Sequence, residues 1–392
     1  MAKRYGLVAA MLVGLLAMAW IAQAGAEPST MPVSRPSTST APSRDAMLRT
    51  ISKCAVSWWP ADGHTDDVIS GNSLTGPPEP DYGEGRVGKC FRFKSNHLCA
   101  RDTVPLRLKG AFTLSVWCKA NKPPNIYGVP LSTIDDLGAG YRFLLGRDTG
   151  RVTFYVGKPA TPASCVDIEG PDVCDGKWHH IVGTLSEGEI RLYVDGNLCA
   201  SKGQATANYT DTRFTVGLDA HMWGGQDRHY VGDLDEVMVF NQSLDEHHVQ
   251  GLYELWQEKL DPLAEAEIAP LVAAIEDPKS PLALYAMVRL SQGGPAAEKA
   301  VRAMTGKVQP PDVTALIRQL DDDSWKVREE ATRKLIAMGP SIEQSLRAAL
   351  KTAAMEAKTR LQNVLEKIGP GETDPVQQRI ESVLNRLAGK QP

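Results

Sequence analysis

The chain has no basic excess: 43 Lys and Arg stand against 47 Asp and Glu among 392 residues, a formal net charge of −4. A protein that tracks a phosphate backbone needs the opposite balance, so nucleic acid is a poor candidate partner. Beyond Ile21 no apolar stretch is long enough to span a bilayer. No cysteine stands at the end of the first apolar run, which argues against a lipid-anchored lipoprotein. The seven cysteines, Cys54, Cys90, Cys99, Cys118, Cys165, Cys174 and Cys199, contain no C-x-x-C pair. That spacing argues against a zinc ribbon, a thioredoxin-type site and a haem attachment motif.

What is present begins with an export signal. Lys3 and Arg4 precede an apolar run from Leu7 to Ile21, and Ala22-Gln23-Ala24 and Ala24-Gly25-Ala26 offer small-x-small cleavage sites. This order reads as a secretory signal peptide over residues 1–26. An uncleaved anchor would need ~20 apolar residues, and this run is shorter. The expected location is secreted, periplasmic or in the cell envelope, with no integral membrane segment after cleavage. Thiols oxidise there, so disulfides are expected, with at least one cysteine of the odd set left over. Residues 27–48 are a disordered linker rich in Pro, Ser and Thr.

Residues 49–257 read as β-structure. Phe112, Leu114, Val116 and Cys118 alternate with Thr113, Ser115 and Trp117. Val152, Phe154 and Val156 repeat the pattern, as do Ile190, Leu192 and Val194. Period-two runs split by Gly, Pro, Asn and Asp clusters indicate antiparallel strands with one buried face. Asp195-Gly196 is a hairpin signal. The segment is expected to close its own core and to fold without the rest of the chain. If CFRFKSNHLC is a hairpin centred between Lys94 and Ser95, Cys90 and Cys99 stand opposite within disulfide range. Cys165 and Cys174 relate similarly about Glu169-Gly170, so both bridges are expected.

Residues 258–392 read as helix. A capping box at Ser243 and Glu246 opens the first helix, and another at Ser341 and Gln344 follows Gly339-Pro340. Leu271, Ile275, Ala286, Leu290, Pro295 and Glu298 recur 45 residues later as Leu316, Leu320, Ala331, Leu335, Pro340 and Glu343. A third step reaches Leu361, Leu365 and Ile380. Helix pairs at such a period suggest an α-solenoid.

Six segments in order carry a family resemblance: SWWPADG from Ser57, GEGRVGKCFRF from Gly83, AFTLSVWCKA from Ala111, GKWHHIVGTL from Gly176, LYVDGNLCAS from Leu192, and VGDLDEVMVFNQSLDEHHVQGLY from Val231. Together they resemble the LamG-like, concanavalin A-like jelly-roll family. Cys118 and Cys199 depart from it, standing where aliphatic residues are expected. ALIRQLDDDSWKVREEATRKLIAMGPSIEQSLRAAL, from Ala315, is similar to HEAT-like repeats of bacterial envelope proteins. The fold class is therefore multidomain: an all-β concanavalin A-like jelly-roll sandwich plus a C-terminal all-α HEAT-like solenoid. The resemblance implies sugar or protein binding through rim loops, with a structural calcium. It brings Asp62 beside Asp235, where two carboxylates without a counterion would repel, so these two are the expected metal ligands.

Other candidates are weaker. Asp233, Asp235 and Glu236 form a carboxylate cluster, but on a regular strand Glu236 points away from the other two, and the family uses this segment structurally. Gly83 to Lys89 fits G-x-x-x-x-G-K, yet Cys90 replaces the Ser or Thr that Mg²⁺ needs. His179 and His180 sit on opposite strand faces and cannot chelate one ion. His221 and His229 flank MWGGQDR with no third zinc ligand fixed by spacing. Trp223 is suited to stack on a sugar, so Trp223 and His221 are the expected ligand-binding residues. The function read from the sequence is a non-catalytic binding, adhesion or scaffold protein for a glycan or protein ligand, its helical repeats docking another protein. The alternative is a polysaccharide-acting enzyme or accessory module.

Overall fold

The structure, a computed structural model, describes residues 43–76, 80–135, 138–157, 165–210, 213–219, 228–256, 263–305, 312–338, 342–350, 352–368 and 375–388. The expected signal peptide and most of the linker lie outside them. The strands are β1 (Ala55–Trp59), β2 (Leu74–Thr75), β3 (Asp81–Glu84), β4 (Lys89–Phe93), β5 (Leu98–Ala100), β6 (Phe112–Lys119), β7 (Gly128–Ser132) and β8 (Gly140–Leu145). They continue as β9 (Arg151–Gly157), β10 (Val166–Asp172), β11 (His179–Ser186), β12 (Glu189–Val194), β13 (Asn197–Lys202), β14 (Thr215–Val216) and β15 (Gly232–Phe240).

They form two antiparallel sheets in a jelly-roll-like sandwich. The first runs β13-β12-β11-β6-β15-β4-β3, with β1 added on β15. The second runs β10-β9-β8-β7-β14-β5-β2. The alternation read from the sequence places Leu114, Val116, Phe154, Val156, Leu192 and Val194 in the shared core between them. Asp195 and Gly196 take φ of 51° and 78° and join β12 to β13, the paired positive φ of a two-residue hairpin.

The expected disulfides do not fit this topology. Cys90 lies on β4 in the first sheet, and Cys99 lies on β5 in the second. The chain crosses between layers there instead of turning back on itself. Cys165 and Cys174 flank the single strand β10, so at about 3.3 Å per residue they stand near its opposite ends. All seven cysteines are free thiols.

The helices are α1 (Arg44–Cys54), α2 (Glu246–Glu254), α3 (Glu265–Glu276), α4 (Ala283–Gln292), α5 (Gly294–Thr305), α6 (Thr314–Gln319), α7 (Trp325–Met338), α8 (Glu343–Leu350), α9 (Met355–Ile368) and α10 (Pro375–Ala388). Helix α1 occupies residues assigned to the linker and the start of the sandwich. Ser43 caps it, its side chain accepting from the Ala46 amide. Asp245, not Ser243, caps α2 by accepting from the His248 amide. Gly251 on α2 lies against Met47 of α1, where any Cβ would collide with the thioether.

Two apolar clusters divide the helices. Helices α1 to α5 and α10 share one core, and α6 to α9 share another. The first is continuous with the sandwich: Trp58, Val182, Tyr193, Met238 and Phe240, from β1, β11, β12 and β15, project from the outer face of the first sheet into it. The sandwich therefore has its own core between the sheets and shares the outer face of the first sheet with the helices. Among the described residues no helix is long and apolar enough to cross a membrane.

Candidate functional site

The first sheet's outer face carries a buried ionic junction. Asp62 follows β1, and Asp235 and Glu236 lie on β15. A regular strand would point Glu236 away from Asp235, as the sequence suggested. Instead the register slips between Asp235 and Met238, and Glu236 takes a φ of 50°. This bulge turns Glu236 to the same side as its neighbour.

Helix α10 supplies the countercharge. Arg386 Nε donates to Asp62 Oδ2 at 2.8 Å, and its Nη2 donates to Glu236 Oε1. The guanidinium lies over the rings of both Trp58 and Trp256, 4.8 and 5.0 Å from their centroids. Trp58 Nε1 donates to Glu236 Oε2 at 3.0 Å. Ser382 Oγ donates to Asp62 Oδ2, and Asn385 Nδ2 to the Asp62 carbonyl. On the same helix the buried Arg379 donates to the carbonyls of Val68 and Ile69 in the sandwich and of Ile275, Asp277 and Pro278 at the end of α3.

The Gly-rich loop between β3 and β4 closes the junction from the other side. The Val87 amide donates to Asp235 Oδ2 at 3.0 Å, and the Lys89 amide to Asp62 Oδ1 at 3.1 Å. A Cβ at Gly88 would strike Asp62 Oδ1, and one at Gly85 would crowd Asp235 Oδ2. The spacing that resembled a phosphate cradle holds the protein's own carboxylates. Burial and the adjoining Glu236 charge push Asp235 well above the usual carboxylate range, and burial raises Glu236 to about 7. Asp62 and Asp235, the expected metal ligands, lie near enough for their charges to act on one another, and the Arg386 guanidinium faces the same junction. No group of three or more His, Cys, Asp or Glu able to hold a metal ion occurs among the described residues. Asp233, the third carboxylate of the sequence cluster, pairs with Arg92 at 3.0 Å near the surface.

The second sheet carries a different arrangement. Gly217 and Leu218 run against His229 and Tyr230, and the Asp219 amide donates to the Arg228 carbonyl. The segment between Asp219 and Arg228 holds the expected ligand-binding residues His221 and Trp223, which lie outside the described residues. Its base is fixed from below. The fully buried Asp219 carboxylate accepts from Arg142 Nη1 at 2.7 Å, Arg228 Nη1 at 3.3 Å and Ser132 Oγ at 2.9 Å. Arg142 lies over the Tyr155 ring, and Arg228 over Tyr127, which is 39% exposed. Alternation on β8 and β9 could have indicated that Arg142 and Tyr155 face outward. Nothing local marks Asp219, whose partners come from three segments.

The two neighbouring histidines do opposite things. His179 is held between Asp195 at 2.8 Å and Asp175 at 3.0 Å, and the Asp195 bond raises its pKa. His180, on the other face, stacks on Trp117 and Tyr253, and burial lowers it to about 3.

No curated protein matches this sequence. Among solved structures, the binding domain of Paraclostridial Mosquitocidal Protein 1 is similar with a TM-score of 0.44 and 17% identity, over 53% of this chain and 54% of that one. Domain 4 of AbnA, a GH43 extracellular arabinanase from Geobacillus stearothermophilus in complex with arabinotriose, has a TM-score of 0.42 and 16% identity, over 51% of this chain and 98% of that one. The botulinum neurotoxin serotype D ligand binding domain in complex with N-acetylneuraminic acid has a TM-score of 0.41 and 12% identity, over 53% and 52%. This chain thus spans about half the length of the two toxin domains. Within the sandwich, residues 94–250 match the family described as the concanavalin A-like lectin/glucanases superfamily.

Proposed function

We propose that this is an extracytoplasmic, non-catalytic binding protein whose ligand, a glycan, is held at the hairpin end of the second sheet. The observation that carries the reading is the unequal use of the two sheet faces. Helices cover the first, and its carboxylates Asp235 and Glu236 are buried and bonded inward, out of reach of a substrate. On the second sheet a buried Asp219 fixes the base of the Asp219–Arg228 connection, beside the half-exposed ring of Tyr127. Flat rings on a rigid base suit the apolar C–H faces of a sugar, and fixing the base beforehand lowers the entropy lost on binding. The helical region is read as a HEAT-like scaffold. Its 45-residue step advances from α3 to α6 to α9 and from α4 to α7 to α10.

A glycan array probed with the exported chain tests the reading. Bound glycans should lose at least tenfold in affinity with Trp223→Ala and with Tyr127→Ala, each checked for an unchanged melt. Retention unaffected by both variants, or no retention at all, overturns it. Release of shorter sugars from the bound glycans overturns the non-catalytic part.

A further inference from the structure

The α6–α9 cluster ends in a surface that its own chain leaves uncovered. Trp325, the first residue of α7, is 61% exposed, and Met355, the first residue of α9, is 82% exposed. The two helices start side by side. Arg360 of α9 reaches Glu329 of α7 at 3.4 Å, and Arg328 Nε lies 3.6 Å from Glu356. Large exposed apolar side chains are unremarkable when scattered, but these two share one end of one bundle. Each faces away from the cluster core that Ala331, Leu335, Leu361 and Val364 fill.

The surroundings are acidic. Asp321, Asp322 and Asp323 lead into Trp325 with exposed side chains, and none of the three carboxylates is in an ion pair among the described residues. Arg328 is turned to the backbone: its Nη1 donates to the carbonyls of Asp322 and Asp323. Residues 321–330 hold five carboxylates and two cations. An exposed aromatic and thioether, with three carboxylates outside any ion pair leading into the first, fit the usual plan of an apolar interface centre with a charged rim. The charge sign disfavours nucleic acid and anionic lipid and steers a cationic partner inward. An indole face also attracts guanidinium and ammonium groups directly.

We propose that Trp325, Met355 and Asp321–Asp323 form a docking surface for an arginine- or lysine-rich, partly apolar segment of another protein. This surface is separate from the hairpin end of the sandwich, and its occupancy does not depend on a sugar being bound there.

The test uses the full chain and two fluorescein-labelled 14-residue peptides, one alternating Arg and Leu, the other Glu and Leu. Fluorescence anisotropy should show saturable binding of the Arg peptide, weakened by added salt, and none of the Glu peptide. Trp325→Ala and the triple variant Asp321→Asn/Asp322→Asn/Asp323→Asn should each weaken it at least tenfold. All these side chains are exposed, so circular dichroism melts should match the parent. Unchanged affinity in both variants, or equal binding of the Glu peptide, overturns the proposal. A concentration-dependent dimer in sedimentation velocity that Trp325→Ala abolishes also overturns it, because the surface would then serve a second copy of the chain.

Discussion

At the junction with the helices, two carboxylates share one guanidinium beside a third, Asp235; at the base of the Asp219–Arg228 connection on the second sheet, two guanidiniums share one carboxylate. The first cluster has an excess of acid and the second an excess of base. Depth makes both tolerable in different ways. Asp62, Glu236 and Arg386 are sealed, each about 1% exposed at the side chain, so the surplus negative charge is relieved by raised carboxyl pKa values. Arg142 and Arg228 keep 11% and 16% exposure, so their surplus positive charge stays partly solvated. Breaking a pair should therefore cost most where no water can enter.

The largest effect is expected from Arg386→Met. It strands three buried carboxylates, and breaking a buried pair from one side costs about 3–5 kcal/mol. Thermal melts should fall steeply, and limited proteolysis should release α10. Arg386→Lys should recover little, since one ammonium cannot bond Asp62 and Glu236 together as the forked guanidinium does while packing on Trp58 and Trp256. If Arg386→Met melts within a few degrees of the parent, the junction does not hold the helices to the sandwich.

Asp219→Ala comes next. It frees two guanidiniums that water already reaches, so the loss should be smaller, about 2 kcal/mol by urea unfolding. An equal or larger loss than for Arg386→Met would remove the argument from depth.

The pH dependence sharpens the same contrast. Asp235 and Glu236 have folded pKa values raised above the unfolded ones. Their contribution is fully present below the unfolded values, 3.8 for Asp235 and 4.5 for Glu236, and is lost as pH rises through the folded values, about 7 for Glu236. Asp235→Asn gives up a hydrogen bond from a backbone amide, so it should be less stable than the parent at pH 5, by about 1 kcal/mol. At pH 8 it should match or exceed the parent, because one buried charge is gone. Melting curves that fail to cross between these pH values would contradict the assignment.

The smallest effect concerns His179. Its raised pKa means its stabilisation is present below about pH 6.5 and fades as pH rises through the folded value. His179→Gln should cost less than about 1 kcal/mol at pH 5.5 and nearly nothing at pH 9. His180 runs the other way: its lowered pKa favours the fold above about pH 6.5 and opposes it as pH falls toward 3. A loss with His179→Gln that grows toward pH 9 would reverse the roles given to the two rings.

Much of the sandwich was legible because alternation is a local signal. Phe112 to Cys118, Val152 to Val156 and Ile190 to Val194 announce their buried faces within a few residues, and Asp195-Gly196 announces its turn. The pairing of Asp62 with Asp235 came from a family resemblance, not from spacing. What was missed depends on contacts across the chain. Arg386 meets Asp62 from 324 residues away, and nothing around it separates it from the exposed arginines of α7 and α8. The Cys90–Cys99 expectation failed because a crossover between layers and a hairpin show the same alternation on each side. Glu236 was misplaced because a bulge leaves no periodic trace. Residues 44–48 were assigned to the linker by composition, although Ser43 and Asp45 are good helix-start residues. The 45-residue period was visible, but it did not reveal that α10 returns to pack with α4 and α5 in the first helical core.

The position of Arg386 in the order of synthesis has a consequence of its own. A chain made from its N-terminus completes β15 about 150 residues before it supplies Arg386. During that interval the core that Met238 and Phe240 enter lacks its α10 side chains, and Glu236 has no guanidinium. The latch thus cannot form until every element from β1 to α9 has been made. Ribosome-bound chains stalled shortly after residue 305 should remain cleavable at the loop between β3 and β4. Chains stalled with α10 outside the exit tunnel should resist, and equal cleavage of both would show that the sandwich does not wait for its final helix.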